Sequence, residues 1–238
     1  MIFRVSRKWF SVSLLFAGLW SLSPQLQAAV KGAAPQGNGE PLQASGQVNA
    51  PQGTPTREIQ DIESKMDKYK TGDNLTVEDR ANNAKIKRDI LTGTFDLNEL
   101  CKLALDKHWG EISSGEQGNF VALMTDLLET KAIFSKEQTK TKGKAYTVQY
   151  LGDTYLNDRA RAKTRTKVVV PKDNVKVDIE YKLKKDPGGW KIYDVVVDDA
   201  SLVDNYRYQF DAIISKNGYP ELVRRMQNKL KELRGKTS

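Results

Sequence analysis

Sulfur and imidazole are nearly missing from this chain: one cysteine, Cys101, and one histidine, His108, in 238 residues. A single thiol makes no intramolecular disulfide and no thiolate metal cage, and a single imidazole excludes metal sites built on paired histidines. No glycine-rich phosphate loop, G-x-S-x-G elbow or H-E-x-x-H helix occurs, so phosphoryl transfer and serine- or zinc-dependent hydrolysis have no starting point. Cys101 lies between Leu100 and Leu103 in an apolar helical pattern, where a small buried hydrophobe is the simple reading. His108, beside Trp109 at the end of that pattern, reads as a core or helix-end residue. Asp153, Asp194 and Asp198 are the acids available to a cavity, with Asp194 the main candidate; each is more simply a turn or strand-end residue. No catalytic residue, metal or cofactor is expected.

Charge of one sign is scarce at the very start. Residues 1 to 9 hold Arg4, Arg7 and Lys8 and no acid, and residues 10 to 22 (FSVSLLFAGLWSL) are apolar apart from serines and a glycine. Pro24 ends the run, and Leu26-Gln27-Ala28 offers a cleavage site after Ala28. This predicts a secretory signal peptide over residues 1–28. Thirteen residues rise only about 20 Å as helix, too little for a hydrocarbon core of about 30 Å. Removing three cations from a formal +8 leaves +5, so the exported chain is only mildly basic and nucleic acid is not an expected partner. The unpaired Cys101 fits an oxidising compartment in which other thiols would pair with it.

Residues 29–55 contain 5 of the 17 glycines, 4 of the 8 prolines and no aromatic residue, which predicts a disordered linker, since such a segment buries too little apolar area to offset its ordering entropy. Residues 56–238 form one block without a second linker, enough for a single domain. Its first part has helical spacing: Ile59, Ile62, Met66 and Tyr69; then Ile86, Ile90 and Leu91 behind a Thr76 cap; then Leu100, Leu103 and Ala104 behind Asp96; then Phe120, Leu123, Met124, Leu127 and Leu128 from about Ser114. From Ala145 the period falls to two, with Tyr146, Val148 and Tyr150 on one face. Two clear strands, Arg159 to Val170 and Val175 to Lys184, flank Pro171-Lys172-Asp173-Asn174, and Trp190 to Val197 follows a second turn. Helix returns with Val203, Tyr206, Phe210 and Ile213, stops at Asn217-Gly218, and restarts at Pro220. The expectation is an α+β fold: a curved antiparallel sheet of about four strands, covered by N-terminal and C-terminal helices as a cone.

The hairpin predicts its own register. With Val170 facing Val175, the inward pairs are Val168 with Val177, Thr166 with Ile179, Thr164 with Tyr181, and Ala162 with Leu183. Lys167, Arg165, Lys163 and Arg161 then face outward, opposite Asp178, Glu180, Lys182 and Lys184, as a solvated lattice of cross-strand charge. On the inner face Ala160, Ala162, Thr164 and Thr166 are small. Small residues on a concave face either admit a helix closely or leave volume for a ligand, and composition alone leaves both open.

Gly189-Trp190-Lys191-Ile192-Tyr193-Asp194-Val195, Ser201-Leu202-Val203, Asn205-Tyr206-Arg207-Tyr208-Gln209-Phe210, then Gly218 and Leu222, resemble the signature of the MlaC family of periplasmic phospholipid-binding proteins. Phe95-Asp96-Leu97, Trp109, Phe120, Leu127-Leu128 and Asp158-Arg159-Ala160 extend the resemblance over about residues 56–233. The chain has Asp199-Ala200 where that family usually has Glu-Gly, and Lys131-Ala132-Ile133-Phe134 where an aromatic residue is common. The resemblance implies an NTF2-like cone whose sheet and helices enclose acyl chains, with Leu123, Leu127, Val203, Tyr206 and Phe210 as the apolar lid over the inner face. It implies a monomeric periplasmic carrier moving phospholipid between an outer-membrane lipoprotein–porin complex and an inner-membrane MCE-domain ABC transporter that supplies the energy. The alternatives are an NTF2-like small-molecule enzyme using a buried aspartate, and a periplasmic adaptor that binds only proteins.

Overall fold

The computed structural model describes residues 49–70, 72, 74–130, 147–170 and 175–235; the expected signal peptide, most of the linker, Tyr146, Lys131 to Phe134 and the 171–174 turn lie outside them. Six α-helices and five strands follow one another as α1 (Pro55–Asp67), α2 (Val77–Thr94), α3 (Leu97–Leu105), a 3-10 turn (Asp106–Glu111), α4 (Ser114–Thr130), β1 (Thr147–Leu156), β2 (Arg161–Val170), β3 (Val175–Asp186), β4 (Gly189–Val197), β5 (Ala200–Ser201), α5 (Leu202–Asn217) and α6 (Tyr219–Gly235). Among the described residues no helix is long and apolar enough to cross a membrane.

Local chemistry sets the helix ends. Thr54 accepts from Arg57 N ahead of Pro55, whose missing N–H costs nothing in the first turn. Thr76 and Asp79 form a reciprocal capping box on α2. Asp96 and Ser201 accept from Glu99 N at 2.8 Å and Asp204 N at 3.0 Å. Gly218, at φ +82°, turns α5 into α6 through a conformation that a side chain would strain. The segment just before α1 touches the domain: Trp190 Nε1 donates to the Gly53 carbonyl at 3.0 Å, and Ala50 N donates to Gln60 Oε1 at 2.8 Å. Pro55 itself is buried, so residues 50–55 are folded onto the domain rather than trailing from it.

The five strands form one antiparallel sheet in sequence order. The β2–β3 register is the expected one, from Val170 opposite Val175 to Arg161 opposite Lys184. Two bulges bend the sheet: Leu151 is the extra residue between the Tyr150–Thr166 and Gly152–Arg165 pairs, and Tyr193 the extra one between Lys182–Asp194 and Leu183–Ile192. The β4 margin is covered at two places, by β5 on Val196 and Val197 and by a parallel bridge from Phe95 to Ile192. Ala160 does not extend β2. It ends a turn in which Asn157, Asp158 and Arg159 all have positive φ, and it is exposed. The expected inner-face run therefore begins at Ala162: Ala160 accepts from Lys185 N at 2.9 Å through its carbonyl, but the three left-handed residues before it leave its side chain exposed.

Three hydrophobic clusters hold the molecule. The largest is wholly helical and joins α3, α4, α5 and α6 through residues such as Leu100, Phe120, Met124, Phe210 and Leu222. Phe120 meets Phe210 edge-on at 5.7 Å, and Tyr206 stacks on Phe210 at 5.3 Å. Burying each such side chain stabilises the fold by about 1.5–3 kcal/mol. A second cluster sets Ile59 of α1 on Ala162, Leu183, Trp190 and Ile192 of the sheet. A third joins α1 to α2 through Met66, Tyr69 and Ile90. Phe95 packs against all three.

Candidate functional site

The register resolves the inner face into rows that cross the sheet. One row is Tyr155, Ala162, Leu183 and Ile192; the next is Asp153, Thr164, Tyr181 and Val195; then come Tyr150, Thr166, Ile179 and Val197, and last Val148, Val168 and Val177. The first row is occupied by protein, with Ile59 and Trp190 packed on Ala162 and Leu183. The small side chain at Ala162 therefore lets α1 approach. The second row is polar and tied down. Asp153 accepts from Thr164 Oγ1 at 2.6 Å, Thr56 Oγ1 at 2.7 Å and Thr56 N at 3.3 Å, so this inner-face acid fastens the first turn of α1 to the sheet.

The last two rows differ. Val148, Val177 and Val197 are buried, and Val168 and Ile179 are half-buried, yet among the described residues none of the five belongs to the three clusters. Thr166 is buried among them. Of the anticipated helical residues, Leu127, Val203, Tyr206 and Phe210 are buried and Leu123 half-buried, all in or against the helical cluster. The structure thus places the anticipated residues in two layers, one on the sheet and one among the helices. Tyr150, Val195 and Val197 complete the sheet layer. Sequence reasoning did not assign them to the site, although the period-two pattern brings Tyr150 to the same face as Val148.

The layers are clasped at the β4 margin. Asp96 N donates to the Ile192 carbonyl at 2.8 Å beside the Phe95 bridge. Farther along, Asp194 accepts from Lys182 Nζ at 2.8 Å, Ser201 Oγ at 2.7 Å and Val203 N at 3.0 Å, anchoring the start of α5. The bulge at Tyr193 sets Asp194 opposite Lys182, whose neighbours Tyr181 and Leu183 face inward. Asp194 is thus turned from the sheet's inner face toward Lys182 and the start of α5, buried with its oxygens engaged. Asp198 is an exposed turn residue accepting from Asp178 N at 3.0 Å.

The other reactive groups also serve the scaffold. Burial pushes the Cys101 thiol up, away from the thiolate form. His108 bridges Glu111 Oε2 at 2.7 Å and Asp211 Oδ1 at 2.9 Å, joining the 3-10 turn to α5. Lys107 and His108 hold the Asp211 carboxyl down at about 2. Among the described residues no group of three or more His, Cys, Asp or Glu is placed to hold a metal ion. On the outer face, Lys163 pairs with Glu180 at 3.0 Å, Lys167 with Asp178 at 3.3 Å, and Arg161 with Glu99 of α3 at 2.7 Å, an ionic lattice open to water.

Comparison with known proteins decides the lineage. The family described as MlaC protein matches residues 60–228. The chain belongs to the MlaC family. Among solved structures it is similar to the phospholipid-binding protein from Ralstonia solanacearum, determined in complex with a phospholipid, at 20% identity and a TM-score of 0.57 over 74% of this chain and 94% of that one. At that identity the likeness concerns the fold, which this MlaC-family chain shares over nearly the whole of the Ralstonia protein. No curated protein matches the chain.

Proposed function

We propose that this protein is a phospholipid carrier that holds acyl chains between the outer rows of the sheet's inner face and its helical layer. The observation that carries this reading is the division of the interior into separate sheet and helical clusters joined through Phe95, with the Val148–Val168–Val177 row in neither. A small domain normally packs one contiguous core. Two apolar layers clasped along one margin are suited to admitting a guest between them.

Energetics favour enclosure. Two chains of about 16 carbons exposed to water cost about 0.8 kcal/mol per methylene, roughly 25 kcal/mol together, and only an internal apolar site recovers most of that. Family membership and the lipid-bound Ralstonia protein support phospholipid as the cargo class. The same membership supports a periplasmic shuttle, moving lipid between an outer-membrane lipoprotein–porin complex and an inner-membrane MCE-domain ABC transporter, with no catalytic step of its own. The test is native mass spectrometry with organic extraction of the purified protein: stoichiometric diacyl phospholipid is expected, and lipid-free protein that binds none on incubation with vesicles would refute the reading.

A further inference from the structure

Gln209 breaks the pattern of α5. It lies three residues after Tyr206 and four before Ile213, on the buried stripe of the helix, and only 7% of it is exposed. Residues at these spacings share one helix face, so it lies between buried Tyr206 and Ile213, with half-buried Asn205 one turn before it. Its Oε1 is buried without any hydrogen-bond partner, and among the described residues it is the one buried side-chain polar atom in that state. Other buried polar side chains are engaged: Thr164 with Asp153, Thr125 with the Val121 carbonyl, and Asp194 with three donors. An orphaned amide in an otherwise satisfied interior destabilises the empty protein, and leucine or methionine would fill the position without that penalty. Residues that violate packing rules in this way are found chiefly at functional or strained positions.

We propose that Gln209 hydrogen-bonds an acyl-ester carbonyl of the bound lipid. This inference rests on the carrier reading above and specifies the polar contact within that same site. The choice of group follows from burial. A phosphate or an ammonium would lose its hydration against the apolar stripe, whereas a neutral ester carbonyl loses little. The glycerol of a diacyl phospholipid carries no free hydroxyl, and its esters are the polar atoms that travel deepest with the chains. An ester only accepts, so the amide turns its Nε2 toward it; rotation of a terminal amide exchanges Oε1 and Nε2 within almost the same volume. The orphan position then gains the partner it lacks, and α5 reads the junction between chains and glycerol.

Matched lipids isolate the contact. Delipidated protein is loaded with diacyl phosphatidylglycerol or with its dialkyl ether analogue, which has the same head group and chain length but no carbonyls. Wild type is expected to hold the ester lipid about fivefold more tightly, the worth of one neutral hydrogen bond. Gln209→Leu should abolish that preference, keep ether-lipid binding, and melt about 3 °C higher when empty. Gln209→Asn supplies a second variant with the amide out of reach, and it too should lose the preference. Equal wild-type affinity for the two lipids, or a preference that survives in Gln209→Leu, would overturn the assignment while leaving the carrier reading intact. Failure of wild type to bind either lipid would instead refute the carrier reading itself.

Discussion

Replacing Asp194 by asparagine separates a structural acid from a catalytic one. The carboxylate is 3% exposed and holds Lys182 Nζ at 2.8 Å, Ser201 Oγ at 2.7 Å and Val203 N at 3.0 Å. Asparagine preserves size and one acceptor, so the amide oxygen can keep the Val203 contact at the start of α5. The other oxygen becomes an NH2 that cannot accept from Ser201 and cannot pair with the ammonium. Lys182 is only 26% exposed, so its charge is left largely desolvated without an opposite partner. Removing one member of a buried pair costs about 3–5 kcal/mol. Water reaches the lysine end, and we therefore expect the lower figure, about 3 kcal/mol, which corresponds to a melting temperature lowered by about 6–12 °C in a domain of this size.

The assay is urea unfolding of wild type, Asp194→Asn, Lys182→Met and the double variant, with lipid occupancy measured in parallel below each transition. The double variant should regain part of the loss, because methionine no longer leaves a stranded charge, and the coupling should exceed about 1 kcal/mol. Folded Asp194→Asn protein should still carry lipid, since the residue faces Lys182 and α5 rather than the sheet's inner face. Wild-type stability combined with loss of function would refute this reasoning and return Asp194 to the role of a cavity acid.

Two further perturbations test the layer assignment and the scaffold charges. Val168→Trp adds bulk to a row outside the packed clusters and should lower lipid occupancy severalfold while the unfolding midpoint moves little; Ala162→Trp, forced against Ile59 and Leu183, should cost more than about 3 kcal/mol or prevent folding. Reversed outcomes in unfolding and extraction assays would interchange the cargo and core rows. Burial of His108 works to lower its pKa, but the hydrogen bonds and charges of Glu111 and Asp211 outweigh it and raise the folded-state value above the usual 6.5. The stabilisation this clamp provides is therefore complete below about pH 6.5 and is lost as pH rises through the folded-state value. Because both carboxylates are substantially exposed, the difference between wild type and His108→Gln should be at most about 1 kcal/mol. Denaturation between about pH 5 and 9 measures it, and a difference that grows with pH would contradict the sign.

What could be read from the sequence, and what could not, follows from the range of the interactions involved. The β2–β3 register was legible because ten consecutive pairs alternate apolar and charged residues, and slipping by one would bury Lys163 and Arg165 in place of Thr164 and Thr166. Helix starts at Thr76 and Asp96 were legible because capping is decided within four residues. The bulge at Tyr193 was not. Strict alternation along Trp190, Ile192 and Asp194 would put all three on one face and make Asp194 a cavity acid. One extra residue opposite β3 changes that: Ile192 stays with Leu183 inside, Asp194 turns to Lys182, and Val195 and Val197 return to the interior opposite Tyr181 and Ile179. The same step brings Asp194 to Ser201 and Val203, where it holds the first turn of α5, and with it the stripe carrying Tyr206, Gln209 and Phe210. A local insertion in β4 thus fixes how the helical layer meets the sheet, and the placement of the polar contact proposed at Gln209 depends on it. Deleting Tyr193 should leave Ile192 opposite Leu183 and Asp194 opposite Lys182 in an unbulged ladder, so the α5 clasp and lipid retention should survive with a modest loss of stability; loss of cooperative unfolding and of bound lipid together would show that the bend at the bulge, and not the register alone, sets the spacing of the layers.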